Sequence, residues 1–301
     1  MTGYLHESYA RSLAEFGEPR DLPRSQGWIL VRPIAGSPHH DAMGCYPLFA
    51  CRDWSKLALD LRGLSKDLVA LSMVTDPFGQ YDAVSLRRCF EDVVKPFKQH
   101  FVIDLGRPLE SFASKHHLRN ARKAQQALVV EKCEQPALFL EEWTTLYATL
   151  IERHHITGLT KFSRASFAMQ LQVPGLVALR AVHKSDTVGM LLWFLQGDIG
   201  YYHLGAYSPL GYELRASFAL FRFAIDYFAA SGLRWLNIGA GAGVGNDGAD
   251  GLTRFKEGWS TGSRTAYFCG RIFDHARYQE IVAAHGVART DYFPAYRFGE
   301  F

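Results

Sequence analysis

The stretch between residues 176 and 238 most constrains the fold, because it joins an antiparallel pattern to a parallel one. Three β-rich runs follow one another with short polar turns between them, at residues 176–183, 187–196 and 199–206. Short polar turns between such runs are hairpin signals, so we expect an antiparallel meander. A helical pattern at 213–230 and a strand at 233–238 then form a crossover unit, whose strands should run parallel.

The helical pattern at 213–230 carries an apolar stripe that recurs every three or four residues. Its members are Leu214, Phe218, Phe221, Ile225 and Phe228. Such spacing places the side chains on one face of a helix, which we expect to be buried. The stretch 207–212 before it reads as a loop that leads to the helix N-terminus, where free N–H groups attract phosphate.

A glycine-rich stretch, residues 239–251, follows the last strand of the crossover unit and leads to a short helix at 251–258 and a strand at 264–272. Its beginning, NIGAGAG at 237–243, superficially resembles a methyltransferase or dinucleotide-binding loop. The G-x-G-x-x-G spacing fails because position 244 is valine. The remaining chain is also too short for the further βα units of a doubly wound sheet, so we reject that interpretation.

The first hundred residues alternate strands and helices, which is typical of a mixed α/β layer. The expected strands are 28–34, 67–75 and 99–105, with helices at 53–61 and 84–95 and a loop at 35–41. Residues 106–108 are the expected boundary, giving halves at 1–106 and 107–301. Beyond it, we expect helices at 109–126, 136–154 and 163–172 and a strand at 128–133, while the last thirty residues, left unassigned, are expected to pack back on the first half.

Three segments, in this order, resemble the Fem-type peptidyltransferases within the GNAT acyltransferases. They are HLRNARKAQQALVVEKC (117–133), YYHLGAY (201–207) and GLTRFKEGW (251–259). The resemblance covers residues 107–272, while the first hundred residues match only as a generic α/β layer. It implies an α/β fold with a mixed α+β sheet, built from two GNAT-like halves in tandem. It also implies an N-acyltransferase that moves an acyl or aminoacyl group onto an amine.

The resemblance places the family's functional Phe-Lys pair on Phe255 and Lys256, and in the family the lysine stabilises the oxyanion of acyl transfer. An ammonium on a long stem suits that role. The family's tRNA-using members often carry a coiled-coil arm, and this chain has no heptad run of that length. The phosphate-binding glycine pattern of CoA-using members is only partly present, at Gly211, Arg215 and Ala216. We favour an acyl-CoA donor over an aminoacyl-tRNA donor.

Other side chains near these motifs suit acyl transfer chemically. His203 could take the proton from an amine near neutral pH, although a histidine in an apolar strand is more often a hydrogen-bonded core residue. Asn237 could orient a substrate amide or cap the following loop. We assign Tyr202 to the donor site, and Tyr201 and Arg254 to the acceptor site.

A basic cluster lies on the expected helix at 109–126. It consists of Lys115, Arg119, Arg122 and Lys123. These residues could contact the phosphates of tRNA or CoA, or they could form a solvated helix face.

Composition excludes several classes of function. The net charge of +3 gives no argument for DNA binding or for a membrane surface. No apolar run reaches membrane-spanning length and residues 1–20 lack the apolar centre of a secretion signal, so we expect a soluble cytoplasmic protein. The five cysteines and the adjacent histidine pairs have no metal-site spacing, and we expect no metal. The acceptor and the oligomeric state are not encoded in any motif. The contrasting hypothesis is a GNAT-like module that binds a ligand or partner without catalysis.

Overall fold

The computed structural model describes residues 1–241, 251–287 and 290–300. Its strands are β1 (Glu18–Leu22), β2 (Gly27–Pro33), β3 (His40–Gly44), β4 (Leu68–Val74), β5 (Val93–Asp104), β6 (Val129–Cys133), β7 (Leu176–His183), β8 (Asp186–Gln196), β9 (Ile199–Tyr207), β10 (Trp235–Asn237) and β11 (Gly262–Ile272). Its α-helices are α1 (Glu7–Ser12), α2 (Leu57–Leu64), α3 (Ala83–Cys89), α4 (Lys115–Gln125), α5 (Leu140–His154), α6 (Arg164–Gln170), α7 (Pro209–Glu213), α8 (Ala216–Ala230), α9 (Gly251–Glu257) and α10 (His275–Ala284).

The chain divides into two compact units. Unit 1 comprises residues 1–3, 98–156 and 161–264. Unit 2 comprises residues 4–97, 157–160 and 265–301, so the C-terminal segment belongs with the N-terminal one.

Unit 1 contains a mixed sheet with the strand order β5-β10-β9-β8-β7-β6. The strands β6 to β9 form a continuous antiparallel meander. β10 pairs parallel with β9 and antiparallel with β5. The expected meander and the parallel crossover through α8 are therefore both confirmed.

Helices cover both faces of the unit 1 sheet. On one face, α4 and α8 pack against each other and against the sheet through a large apolar cluster that includes Trp193, Phe228 and Trp259. On the other, α5 contacts β8, β9 and α6, and Trp143 and Phe167 pack edge to face. Burial of these aromatic groups supplies most of the stabilisation expected of such a layer.

Unit 2 contains the strand order β1-β2-β3-β4-β11. The pairings are antiparallel except for β3 with β4, which run parallel. An apolar cluster that includes Phe49, Trp54 and Phe90 packs on this sheet together with α2. A smaller cluster joins Val69 to Tyr278 and Tyr296 near the C-terminus.

A buried ionic network in unit 2 centres on Asp41, whose side chain is 1% exposed. Arg297 donates to both carboxylate oxygens, over 2.6 Å and 2.7 Å, and the Tyr296 hydroxyl donates over 3.1 Å. Arg32 lies 3.8 Å from Asp41 and donates to Glu300 over 2.8 Å. Each buried charge in this network therefore has an opposite charge beside it, as burial requires.

Several predicted element boundaries were wrong. The predicted loop at 35–41 overlaps β3, in which Asp41 is buried. The predicted helix at 84–95 ends at Cys89, and β5 begins at Val93. The predicted loop at 207–212 contains the short helix α7, because Ser208 caps it and Pro209 occupies its first turn.

Candidate functional site

The sheet of unit 1 opens at the end of β10. β10 pairs with β9 only from Trp235↔Ile199 to Asn237↔Tyr201. Beyond Asn237 the chain keeps its hydrogen bonds to β5: Ile238 N donates to Phe101 O and Phe101 N to Gly239 O, each over 3.0 Å. β9 continues to Tyr207, paired with β8. The two neighbouring strands thus separate after Asn237 and Tyr201.

A fixed turn follows the end of β10. The Asn237 side-chain oxygen accepts a hydrogen bond from Gly239 N over 2.9 Å. Gly239 has φ +76°, a conformation that glycine adopts without steric cost. A Cβ at this position would lie 2.9 Å from Nζ of Lys256, so glycine also leaves room for that ammonium.

Lys256 extends from α9 to the opening between the strands. Its side chain is buried, with 5% of the residue exposed. Nζ donates to the carbonyl of Ala240 over 2.6 Å and lies 5.5 Å from the ring centroid of Tyr202. Ala240 follows β10, and Tyr202 is the first β9 residue beyond the β10 pairing. The ammonium therefore contacts both segments where they separate.

Phe255 anchors the helix that carries Lys256. Its ring packs edge to face on Phe218 and Phe221, with centroid distances of 5.0 Å, and its carbonyl accepts from His117 Nε2 over 2.9 Å. His117 Nδ1 then lacks a proton in the neutral ring and accepts from the Ser114 hydroxyl over 2.6 Å. Burial lowers the pKa of His117, which favours the neutral form of the ring. In this pair, the packing of Phe255 fixes the helix, and the helix in turn fixes the position of the Lys256 ammonium.

His100 also belongs to the site, and the sequence reasoning missed it. It lies on β5 with 9% of the residue exposed, and its Nδ1 lies 3.1 Å from the Asn237 side-chain oxygen. The pKa of His100 is lowered to about 4, chiefly by burial, against the effect of the Asn237 bond. The positive charges of Lys256 and Lys98 lower it further. The pairing joins residues 137 positions apart, so no local motif could have signalled it.

His203 lies elsewhere. Its Nε2 lies 3.0 Å from the Gln170 side-chain oxygen, and its ring contacts Phe162 and Phe194. Burial lowers its pKa to about 3. Tyr201 is likewise buried, with 2% of the residue exposed. These contacts are those of a hydrogen-bonded core histidine, the alternative that the sequence left open.

The residues expected to bind the donor surround the N-terminus of α8. Arg215 is exposed and precedes the helix in a left-handed conformation with φ 58°, rather than lying in its first turn. Ala216 is the first residue of α8 and is buried. Gly211 packs against the backbone of Val188 so closely that no side chain would fit. Tyr202 is the one predicted donor residue that contacts Lys256.

The remaining predicted residues are exposed. Arg254 lies on the surface of α9. The basic cluster of α4, consisting of Lys115, Arg119, Arg122 and Lys123, is exposed along the helix. The glycine-rich stretch at 239–251 lies largely outside the described residues, at positions 242–250.

Within residues 1–241, 251–287 and 290–300, no three His, Cys, Asp or Glu side chains come together as a metal site would require. In the same residues, no helix has the length and apolar character needed to cross a membrane.

No protein-family model and no curated protein matches the chain. Solved structures do match it, and they define the class of fold: a mixed α/β fold of the tandem GNAT, Fem-like type. FemX aligns with a TM-score of 0.66 at 13% identity, covering 91% of this chain and 93% of that chain. L-PGS from Bacillus licheniformis aligns with a TM-score of 0.59 at 13% identity, covering 96% and 99%. The C-terminal domain of a putative lysylphosphatidylglycerol synthetase from Agrobacterium fabrum gives 0.58 at 14% identity, covering 93% and 91%.

Proposed function

We propose that the protein is an N-acyltransferase, which moves an acyl or aminoacyl group from an activated donor onto an amine. The observation that carries this proposal is the buried ammonium of Lys256 at the point where β9 and β10 separate. An opening between neighbouring strands gives a carrier-bound carbonyl access to a cation that is already in place. The Fem-like fold supports the same class of reaction, although fold alone does not establish activity.

Lys256 would stabilise the transition state. Attack of an amine on a carbonyl carbon places negative charge on the carbonyl oxygen. A positioned donor contributes about 3–4 kcal/mol to the stability of such a charge in a site that excludes water. Nζ of Lys256 donates to the carbonyl of Ala240 and faces the ring of Tyr202, and these contacts hold the ammonium at the point where the strands separate.

The donor is proposed to be an acyl-CoA, with an aminoacyl-tRNA as the second possibility. Both carry phosphates, which the N-terminus of α8 and the side chain of Arg215 would bind. Gly211 and Ala216 have no bulky side chains, so the donor's phosphates would be able to approach the backbone there. Tyr202 would lie beside the thioester or ester group of the donor. One fold neighbour is described as a putative lysylphosphatidylglycerol synthetase, and this supports an aminoacyl group as the second candidate for the transferred group.

The acceptor would enter at the end of β10. Asn237 would orient the amine or an adjoining amide, with Tyr201 behind it and Arg254 at the surface. The Asn237 side-chain oxygen already faces Gly239 N and His100 Nδ1, so its NH2 group would be the part that donates to the acceptor.

The test uses a surrogate acceptor, because hydroxylamine is a small amine that traps activated acyl groups as hydroxamates. The purified protein is incubated with hydroxylamine and either acetyl-CoA or a pool of aminoacyl-tRNAs charged with labelled amino acids. We expect protein-dependent hydroxamate formation with one donor, measured by mass spectrometry above the rate without protein. Replacing hydroxylamine by a panel of biological amines then defines the acceptor.

A thermal-shift measurement separates catalysis from binding alone. Saturation with a ligand at 100 times its dissociation constant raises stability by about 2.7 kcal/mol. A shift with CoA or tRNA, without consumption of either acylated donor, would identify a binding module and reject the acyltransferase proposal. Mass spectrometry of any ligand that copurifies gives an independent identification of the donor.

A further inference from the structure

The hydrogen bonds around Asn237 fix the proton on His100. Gly239 N–H donates to the Asn237 side-chain oxygen, and this bond sets the orientation of the amide. The same oxygen faces Nδ1 of His100 at 3.1 Å. Since an amide oxygen only accepts, Nδ1 must carry the proton. In the neutral ring the lone pair then lies on Nε2, the nitrogen that faces away from Asn237.

Nε2 of His100 has no hydrogen-bond partner among the described residues. The other two buried histidines of unit 1 differ in this respect. His117 uses both nitrogens, for Ser114 and Phe255, and Nε2 of His203 is engaged by Gln170. His100 is therefore the buried histidine of this unit whose outward nitrogen is open to a ligand.

His100 also lies close to the proposed oxyanion site. Asn237 links it to Gly239, where a Cβ would lie 2.9 Å from Nζ of Lys256. Among the described residues, the charged groups that act on the ring are Lys256 from α9 and Lys98 from its own strand. Two positive charges and a buried position keep His100 neutral above about pH 4. The ring is therefore neutral, with the Nε2 lone pair available, throughout the range in which amines react.

We propose that Nε2 of His100 is the proton acceptor of the transfer reaction and that Asn237 positions it. This inference rests on the proposed function. The amine nitrogen forms a bond to the carbonyl carbon, and the carbonyl oxygen becomes negative beside Lys256. The excess proton on nitrogen passes to Nε2. When the carbonyl re-forms, the bond to the carrier sulfur or oxygen breaks, and His100 returns the proton to that leaving atom.

The test replaces His100 by glutamine and measures the same hydroxamate assay with the donor that the wild-type protein uses. Positioned acid–base groups contribute about 10²–10⁴-fold, so we expect a loss of that size in kcat with little change in KM for the donor. The fall in rate near pH 4, where His100 becomes protonated, should also disappear. His203→Gln is the matched control, because it removes an equally buried histidine of the same unit.

A second variant tests the proton transfer itself. His100→Gly creates space at the site, and added imidazole should restore part of the rate in this variant and not in His203→Gly. Asn237→Ala should lower kcat by about tenfold, because the ring loses the bond that fixes its tautomer. In the wild-type protein, imidazole nitrogen NMR should show the Nδ1–H form of His100 at pH 7.

The outcomes separate the two proposals. A wild-type protein that consumes neither donor overturns both. An active wild-type protein whose His100→Gln variant keeps its rate and pH profile overturns the assignment of His100 alone. So does a slow His100→Gly variant that imidazole fails to rescue, or an NMR spectrum with the proton on Nε2.

Discussion

The two units hold buried charged and polar groups in different ways. In unit 2, Asp41 receives two hydrogen bonds from Arg297, and Arg32 is paired with Glu300. In unit 1, Lys256 donates to a backbone carbonyl and His100 to a side-chain amide. The unit 2 contacts join opposite charges, whereas these unit 1 contacts join a polar group to a neutral one.

This difference separates a structural network from a candidate reaction site. A charge that is balanced by an opposite charge contributes little field to a ligand, and removing either partner leaves the other one buried and uncompensated. A cation positioned where two strands separate can stabilise a negative charge that develops on a bound carbonyl. We therefore expect changes in unit 2 to affect stability, and changes around Lys256 to affect transfer.

The largest expected effect is the loss of stability on replacing Asp41. Asp41→Asn keeps the shape but leaves Arg297 beside a neutral amide in a buried position. Breaking one side of such a pair costs about 3–5 kcal/mol. Urea unfolding should show this loss, while transfer by the folded protein at low temperature should stay close to the wild-type rate.

The control for Asp41 is an exposed ion pair. Asp226 accepts from Arg222 over 2.7 Å, four residues away on α8, and 53% of its side chain is exposed. Asp226→Asn should cost only about 0.3–0.5 kcal/mol. Equal costs for the two variants would mean that the Asp41 network contributes no more than a surface pair, and the contrast between the units would fail.

Replacing Lys256 should have the next largest effect, this time on catalysis. Lys256→Met keeps the apolar stem and removes the charge. Transfer should fall about 10²–10³-fold, while the melting temperature should change little. The control is Glu257→Gln, an exposed neighbour on the same helix. A Lys256→Met variant that transfers at the wild-type rate would show that the charge has no part in the reaction.

The strand order of unit 1 followed from local patterns. The runs at 176–183, 187–196 and 199–206 are β-rich and are separated by short polar turns, and the structure places β7, β8 and β9 there. The short helix with Phe255 and Lys256 was also found at the expected position. Such features depend on residues that are close together in the sequence, so they can be predicted from one sequence alone.

Features that depend on distant neighbours could not be predicted in the same way. His100 and Asn237 come from strands that are adjacent in the sheet but far apart in the chain. Asp41 lies in a stretch rich in turn residues, and its burial depends on Arg297 near the C-terminus. Nothing near His203 in the sequence shows that the Gln170 side chain will form a hydrogen bond with its Nε2.

A smaller effect is expected from the basic cluster of α4. If the donor is tRNA, the double variant Arg122→Gln with Lys123→Gln should raise the KM for tRNA. A plot of the logarithm of tRNA affinity against the logarithm of salt concentration should become less steep by about one unit for each lost phosphate contact. The matched control is Arg87→Gln with Arg88→Gln, a pair of exposed arginines on α3 in unit 2. Equal KM values at every salt concentration would assign the cluster to a solvated helix face.

The smallest effect concerns acid stability and compares His203 with an exposed histidine. The pKa of buried His203 is lowered to about 3, whereas an unfolded histidine titrates near 6.5. As pH falls below 6.5, the unfolded chain binds a proton that the folded chain does not, so stability decreases by up to about 1.4 kcal/mol per pH unit. His203→Gln should therefore flatten the decline between pH 6.5 and pH 5 in urea unfolding. His154→Gln, at an exposed position on α5, should leave it unchanged, and parallel curves for all three proteins would mean that His203 titrates normally.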